Sequence, residues 1–297
     1  MKEKRVVFTG SATAMVTPFT GDGLNLKTLD QLVDYQLDGG TDALVVCGTT
    51  GEPSTMDISE EAVVISRTVE RVGGRVPVIA GAGSNDTAFA VQSVKQAKNL
   101  GADALLLVTP YYNKTSQQGL IRHFLTIADA TDLPILLYNV PSRTGVSFTA
   151  ESYKVLAQNP KINGVKEASG NFSLLAHTRF LCPDDFYIWS GNDDQVVPMM
   201  SLGAKGVISV ASNIIPEVMV KMSHLCLEGQ FEDASKLQIA YMDLIDALFI
   251  EVNPIPIKAA MEELGLDSGC LRRPLWTMDP KPRKALRETL HAFALLP

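Results

Sequence analysis

Ile162-Asn163-Gly164-Val165-Lys166-Glu167-Ala168-Ser169-Gly170 is a short apolar run that ends in a lysine and passes at once into small residues. Read as a buried strand, it leaves Lys166 where strand becomes loop, with its amine at the edge of a core. Such a lysine has two readings. The commoner is a side chain that lays its methylenes on apolar surface and carries its ammonium out to water. The other is a desolvated amine that attacks a carbonyl and forms a Schiff base. The surroundings of the stretch decide between them.

Working outward, the same strand-then-loop pattern recurs along most of the chain. Val6-Val7-Phe8, continuing through Ala14-Met15-Val16, is the first apolar segment, and Ala43 to Cys47 is the second, running into Gly48-Thr49-Thr50-Gly51-Glu52. Val76 to Ala80 runs into Gly81-Ala82-Gly83, Ala104 to Val108 into Thr109-Pro110-Tyr111-Tyr112, and Pro134 to Tyr138 into Asn139-Val140-Pro141-Ser142-Arg143-Thr144-Gly145. After the Lys166 strand come Phe186 to Ser190 and Gly206 to Val210. Helical spacing lies between, over Leu26–Leu37, Ser59–Val72 with Ser59 as N-cap, Asp86–Leu100, Gly119–Ala130 and Thr149–Gln158.

Strand candidates recurring at roughly thirty-residue intervals with helices between them have the size of βαβ units. Their strands are Val/Ile/Leu-rich and do not alternate, as burial on both faces of a parallel sheet requires. The pattern predicts an α/β fold, a (β/α)8 TIM barrel. An open doubly wound sheet is the alternative, but its phosphate fingerprints, GxGxxG or GxxxxGK[ST], are missing. After Ser212 only helices follow, over Glu217–Glu228, Phe231–Val252, Ile257–Leu264 and Lys281–Leu296. The expected division is a barrel over 1–228 that carries the active site and a C-terminal helical appendage over 229–297.

Composition narrows the function classes. The chain has 297 residues, 46% hydrophobic, enough for a large core, and its net charge of −7 with no Lys/Arg cluster argues against nucleic acid as a partner. No apolar run approaches a membrane span and no signal-peptide core follows the basic start, so the protein reads as cytoplasmic with no membrane partner. Cys47, Cys182, Cys226 and Cys270 form no CxxC pair, and His123, His177, His224 and His291 form no metal cluster. Neither a metal nor a cofactor is expected.

A barrel of this kind builds its active site from loops at the C-terminal ends of its strands. The sequence places there Thr49 and Thr50, Tyr111 and Tyr112, Tyr138 and Arg143, Lys166, Gly191 and Asn192, and Ile208 and Ser209. Lys166 is the only lysine in this set. Amine, phenols, hydroxyls and a guanidinium suit carbonyl chemistry through an imine. A glycosidase would need two facing carboxylates, and Glu52 and Glu167 qualify by position only. Taken singly, each residue has a structural reading: the Thr pair as a strand-to-helix turn, Tyr111 or Tyr112 as packed aromatics, Arg143 as a solvated charge.

Five motifs in order carry a resemblance that runs nearly end to end: Gly48-Thr49-Thr50-Gly51-Glu52, Pro110-Tyr111-Tyr112-Asn113, Tyr138-Asn139-Val140-Pro141-Ser142-Arg143-Thr144-Gly145, Gly164-Val165-Lys166-Glu167 and Gly206-Val207-Ile208-Ser209-Val210. In these the chain resembles the dihydrodipicolinate synthases within the N-acetylneuraminate lyase family of Schiff-base aldolases. The resemblance implies a cofactor-free lyase of lysine and diaminopimelate biosynthesis whose substrates are pyruvate and L-aspartate semialdehyde. It implies that Lys166 forms the imine and that Tyr138 donates and accepts protons, linked through Thr49 to Tyr112 from a neighbouring subunit. Thr50 and the Thr49 backbone then hold the pyruvate carboxylate, and Gly191 and the Ile208 carbonyl lie at the substrate. Arg143 grips the semialdehyde carboxylate, a bidentate task for a guanidinium. A borrowed Tyr112 implies a homo-oligomer, at least a dimer, with a tetramer usual in the family. Sister enzymes act on sugar acids such as N-acetylneuraminate or 2-keto-3-deoxygluconate and generally lack an arginine at that loop position. A non-catalytic small-anion-binding barrel is the reading from a different class.

One departure bears on regulation. Where lysine-inhibited members carry histidines and a glutamate, this chain has Ile58, Glu61 and Phe89, although Asn85 and Tyr111 remain. Weak or absent feedback inhibition by lysine is therefore expected.

Overall fold

The computed structural model describes residues 4–21 and 23–296. Eight parallel strands close into a barrel in sequence order: β1 (Gly10–Ala14), β2 (Ala43–Val46), β3 (Val78–Gly81), β4 (Ala104–Val108), β5 (Ile135–Asn139), β6 (Ile162–Glu167), β7 (Tyr187–Ser190) and β8 (Gly206–Ser209). A helix follows each strand, with an extra single turn at Pro141–Thr144 after β5: α1 (Leu26–Asp38), α2 (Ile58–Val72), α3 (Thr87–Asn99), α4 (Gln117–Asp129), α5 (Ala150–Leu156), α6 (Phe172–Leu181), α7 (Val196–Ser201) and α8 (Pro216–Leu227). A two-stranded ribbon, Phe19–Thr20 against Gly23–Leu24, precedes α1.

Two apolar layers explain the non-alternating strands. Ala12, Ala14, Val45, Ile79, Leu106, Leu136, Tyr138 and Ile208 fill the barrel interior, while their neighbours Leu44, Val46, Leu105, Leu107 and Leu137 pack outward under the helices. Successive strand residues point to opposite faces. So Lys166 turns inward at the barrel mouth, and Glu167 turns out toward the helix layer.

Three local expectations are corrected. Val6-Val7-Phe8 is not strand: Phe8 belongs to the inner cluster, stacks on Trp189 at 5.2 Å and accepts the indole N–H with its carbonyl at 3.2 Å. Its apolarity serves to close the N-terminal end of the barrel. The cap of α2 is Asp57, not Ser59. Its carboxylate takes the backbone N–H groups of Ser59 and Glu60, and the Glu60 carboxylate returns the bond to the Asp57 N–H, a complete capping box. The helix read over 231–252 is two, α9 (Phe231–Ala240) and α10 (Met242–Ala247), and the chain then unwinds before α11 (Ile255–Glu263). Pro254 disfavours helical backbone at the residue before it, so Asn253 lies in that unwound stretch. The last helix is α12 (Pro280–Ala292). Among the described residues no helix is long and apolar enough to cross a membrane.

Candidate active site

The mouth is built from the strand ends upward. After β2 the chain makes a tight turn: Cys47 takes φ 55°, Thr49–Gly51 form one 3-10 turn and Glu52 closes it at φ 54°. Gly81 on the adjacent strand is required there, since a Cβ would meet the Cys47 carbonyl at 2.0 Å. The turn is pinned by the Thr17 hydroxyl donating to the Gly51 carbonyl at 2.7 Å. Glu52 is tied down in turn by fully buried Lys258 of α11, Nζ to Oε1 2.6 Å, and by the Arg272 backbone N–H at 3.0 Å. The consequence is a rigid placement of Thr49 and Thr50.

Register does the same for the central pair. Tyr138 of β5 pairs with Lys166 of β6, so both side chains emerge on the same face of adjacent strands. The Lys166 Nζ stands 4.5 Å from the centroid of the Tyr138 ring, and the residue is 5% exposed. Among the described residues no carboxylate lies within ion-pair distance of this amine. Gly191 closes the other side. A Cβ there would sit 2.6 Å from the Ala168 Cβ and 3.1 Å from the Lys166 Cε, so only glycine leaves the lysine stem its room.

Thr49, Tyr138 and Arg143 line one cavity of about 450 Å3, together with Gly48, Tyr111 and Val140. Arg143 sits in the short helical turn Pro141–Thr144, which is latched to the end of β4 by the Thr109 hydroxyl donating to that of Thr144 at 3.0 Å. Its Nη2 donates to the Asn253 carbonyl at 2.8 Å, and the Asn253 amide donates to the Thr50 hydroxyl at 3.1 Å. Ile208 lies in the same inner cluster as Tyr138. The end of its strand is fixed by buried Asp193, which accepts from the Val210 and Ala211 N–H groups at 3.0 and 2.8 Å. Burial pushes the Asp193 carboxyl up, and hydrogen bonds from Ser209 and from the Ala211 and Val210 N–H groups, with a smaller part from the charge of Lys166, pull it part of the way back.

Lys166, Thr50, Gly191 and Ile208 do not themselves line this cavity but adjoin it through Tyr138, Asn253 and the Lys166 stem, whereas Tyr112 stands apart. Tyr112 adopts φ 69°, is 92% exposed and does not line the cavity that its neighbour Tyr111 lines. Within one chain it does not reach Lys166. The two carboxylates weighed for glycoside chemistry are also spoken for. Glu52 pairs with Lys258, and buried Glu167 accepts from the Asn139 amide, the Tyr153 hydroxyl at 2.9 Å and the Ser169 N–H at 2.9 Å, its carboxyl raised chiefly by burial. Neither faces the cavity, so the glycosidase reading falls. Asn253, Lys258 and Asp193 are the residues that sequence reading missed. The available signals were a lone lysine inside the apolar run Ile255-Pro256-Ile257-Lys258-Ala259-Ala260 and an asparagine fixed before a proline. Among the described residues no group of three or more His, Cys, Asp or Glu is placed to hold a metal ion.

A closed parallel barrel with a buried lysine, Lys166, over a phenol ring at its mouth defines a lyase of the Schiff-base aldolase class. Comparison with known proteins narrows this. The chain belongs to the dihydrodipicolinate synthetase family, which it matches over residues 7–293. It is 51% identical over 290 residues to the 4-hydroxy-tetrahydrodipicolinate synthase of Caldicellulosiruptor saccharolyticus, covering 97% of this chain and 98% of that one. The crystal structure of dihydrodipicolinate synthase from Aquifex aeolicus superposes with TM-score 0.96 at 42% identity, covering 97% and 99% of the two chains. The enzyme from Cyanidioschyzon merolae, solved with lysine bound, gives TM-score 0.95 at 41% identity over 98% and 100%.

Proposed function

We propose that this protein is a 4-hydroxy-tetrahydrodipicolinate synthase, condensing pyruvate with L-aspartate 4-semialdehyde in lysine and diaminopimelate biosynthesis. The observation that carries the reading is Lys166: buried, unpaired and over the Tyr138 ring at the mouth of the barrel. The amine of Lys166 adds to the pyruvate ketone, and loss of water gives the imine. Tyr138, at the same strand register, moves the protons. Loss of a methyl proton from the pyruvate part yields an enamine, whose carbon attacks the semialdehyde aldehyde. The amine of the second substrate then displaces Lys166 by transimination, which closes the ring and frees the enzyme. Thr50 and the Thr49 N–H hold the pyruvate carboxylate, with the Ile208 carbonyl and Gly191 beside the bound pyruvate.

Borohydride added with pyruvate is expected to leave a covalent adduct on Lys166, read by intact mass and peptide mapping. An unchanged mass sinks the imine reading. Arg143 reaches the same cavity with one guanidinium nitrogen on Asn253 and takes the semialdehyde carboxylate. Its change to alanine removes charge-assisted hydrogen bonds of about 1.5–3 kcal/mol each. The kcat/KM for semialdehyde is expected to fall by roughly 10- to 100-fold, with pyruvate trapping within about twofold of wild type. Equal damage to both would remove the basis for assigning the second substrate.

Tyr112 faces solvent in one chain and completes the proton relay from a neighbouring subunit, which makes the active form a homo-oligomer, a tetramer assembled from dimers. Residues 1–228 act as the catalytic barrel and 229–297 as its helical buttress. Glu61 and Phe89 line the same cavity. Burial raises the Glu61 carboxyl to about 7, with the charge of Asp57 adding to the shift. Near neutrality it is therefore only partly ionised, and Phe89 offers a cation no charge. Free lysine is expected to give no inhibition below about 1 mM, a concentration that corresponds to about 4 kcal/mol of binding. Rate assays that show inhibition at lower lysine would refute this.

A further inference from the structure

We propose that Asn253 is a positioning residue for the pyruvate carboxylate: it takes up one lone pair of the Thr50 hydroxyl so that the hydroxyl's own hydrogen is free for the substrate. This deepens the proposed function and rests on that reading of Thr50. Asn253 lies in the unwound stretch between α10 and α11 and is 7% exposed. Its amide nitrogen is 3.1 Å from the Thr50 Oγ1, both groups buried, across 203 residues of sequence. A threonine hydroxyl has one hydrogen and two acceptor lone pairs. An NH2 donor aimed at it uses an acceptor position and leaves the hydrogen available. A carboxylate at the same place would consume that hydrogen instead. The main-chain carbonyl of Asn253 meanwhile accepts from Arg143 Nη2 at 2.8 Å. One residue thus touches both carboxylate-handling groups, but through different atoms: the side chain serves Thr50 and the backbone serves Arg143.

That separation makes a selective test. Side-chain changes at 253 leave the carbonyl in place, and the Glu52–Lys258 pair continues to hold the same two segments together. Asn253→Asp preserves shape and reverses polarity, whereas Asn253→Ala only removes the donor. Losing one neutral hydrogen bond is expected to raise the pyruvate KM roughly fivefold in Asn253→Ala. Asn253→Asp, which also places a negative charge beside the substrate carboxylate, is expected to exceed that. The semialdehyde KM stays within about twofold of wild type in both, a split that a general loosening of the fold would not produce. The concentration dependence of borohydride trapping by pyruvate alone shifts by the same factors, and the melting temperature reports whether each variant is folded. Folded variants with unchanged pyruvate dependence, or with equal rises in both KM values, overturn the proposal. If the wild-type protein is not trapped by pyruvate at all, the functional reading fails and this proposal falls with it.

Discussion

Lys166→Ala is expected to abolish pyruvate-dependent borohydride trapping and to lower kcat by at least on the order of 10^3-fold, equivalent to about 4 kcal/mol of transition-state stabilisation. The size follows from what is lost. Without the amine there is no imine, hence no enamine, and the remaining groups can only bind and polarise a ketone. The substitution is also a clean one. Lys166 is buried and makes no ion pair among the described residues, so its removal strands no carboxylate at ion-pair distance. What remains is a small cavity beside the Tyr138 ring, and no buried ion pair is broken. The melting temperature is therefore expected to hold while activity disappears. Turnover above about 1% of wild type, a gap of less than about 3 kcal/mol, would mean that the chemistry does not pass through this lysine.

The barrel was legible because its strands are buried on both faces and appear as bare apolar runs. The same rule produced its one strand error. Val6-Val7-Phe8 is apolar because Phe8 plugs the barrel end against Trp189, and composition cannot distinguish a plug from a strand. The helix cap was misplaced for a similar reason: Asp57 and Ser59 both offer an oxygen, and only the geometry shows that the Asp57 carboxylate holds the N–H groups. In the site, Thr49, Tyr138, Arg143 and Lys166 were readable because each ends or follows a strand, and the fold alone brings strand ends together. Asn253 carries no such mark. Its relation to Thr50 arises from the docking of an unwound C-terminal segment that no periodicity encodes. Tyr112 marks the opposite limit, since no arrangement within one chain gives its ring a partner in the cavity.

Lys258→Met is expected to destabilise the protein by about 3–5 kcal/mol, the usual consequence of removing one partner from a buried ion pair. The pair is as buried as any among the described residues, with the Lys258 side chain 0% and the Glu52 side chain 1% exposed and their charged atoms 2.6 Å apart. The ammonium also donates to the Cys270 carbonyl at 2.7 Å and stands 4.4 Å from the centroid of the Phe19 ring. Methionine fills the space but leaves the Glu52 carboxylate with the Arg272 N–H and little else. For a chain of this size the loss corresponds to a fall in melting temperature of roughly 10 °C. Glu52→Gln combined with Lys258→Met removes the stranded charge and is expected to recover part of the stability, because a buried pair contributes less than the penalty of breaking it. The two sets of variants separate the roles of the C-terminal segment. The pair holds that segment against the Thr49-Thr50 turn, while Asn253 orients one hydroxyl within it. A Lys258→Met protein that melts within about 2 °C of wild type would show that Glu52 is satisfied without the lysine, and the buried pair would then not be what fixes the turn.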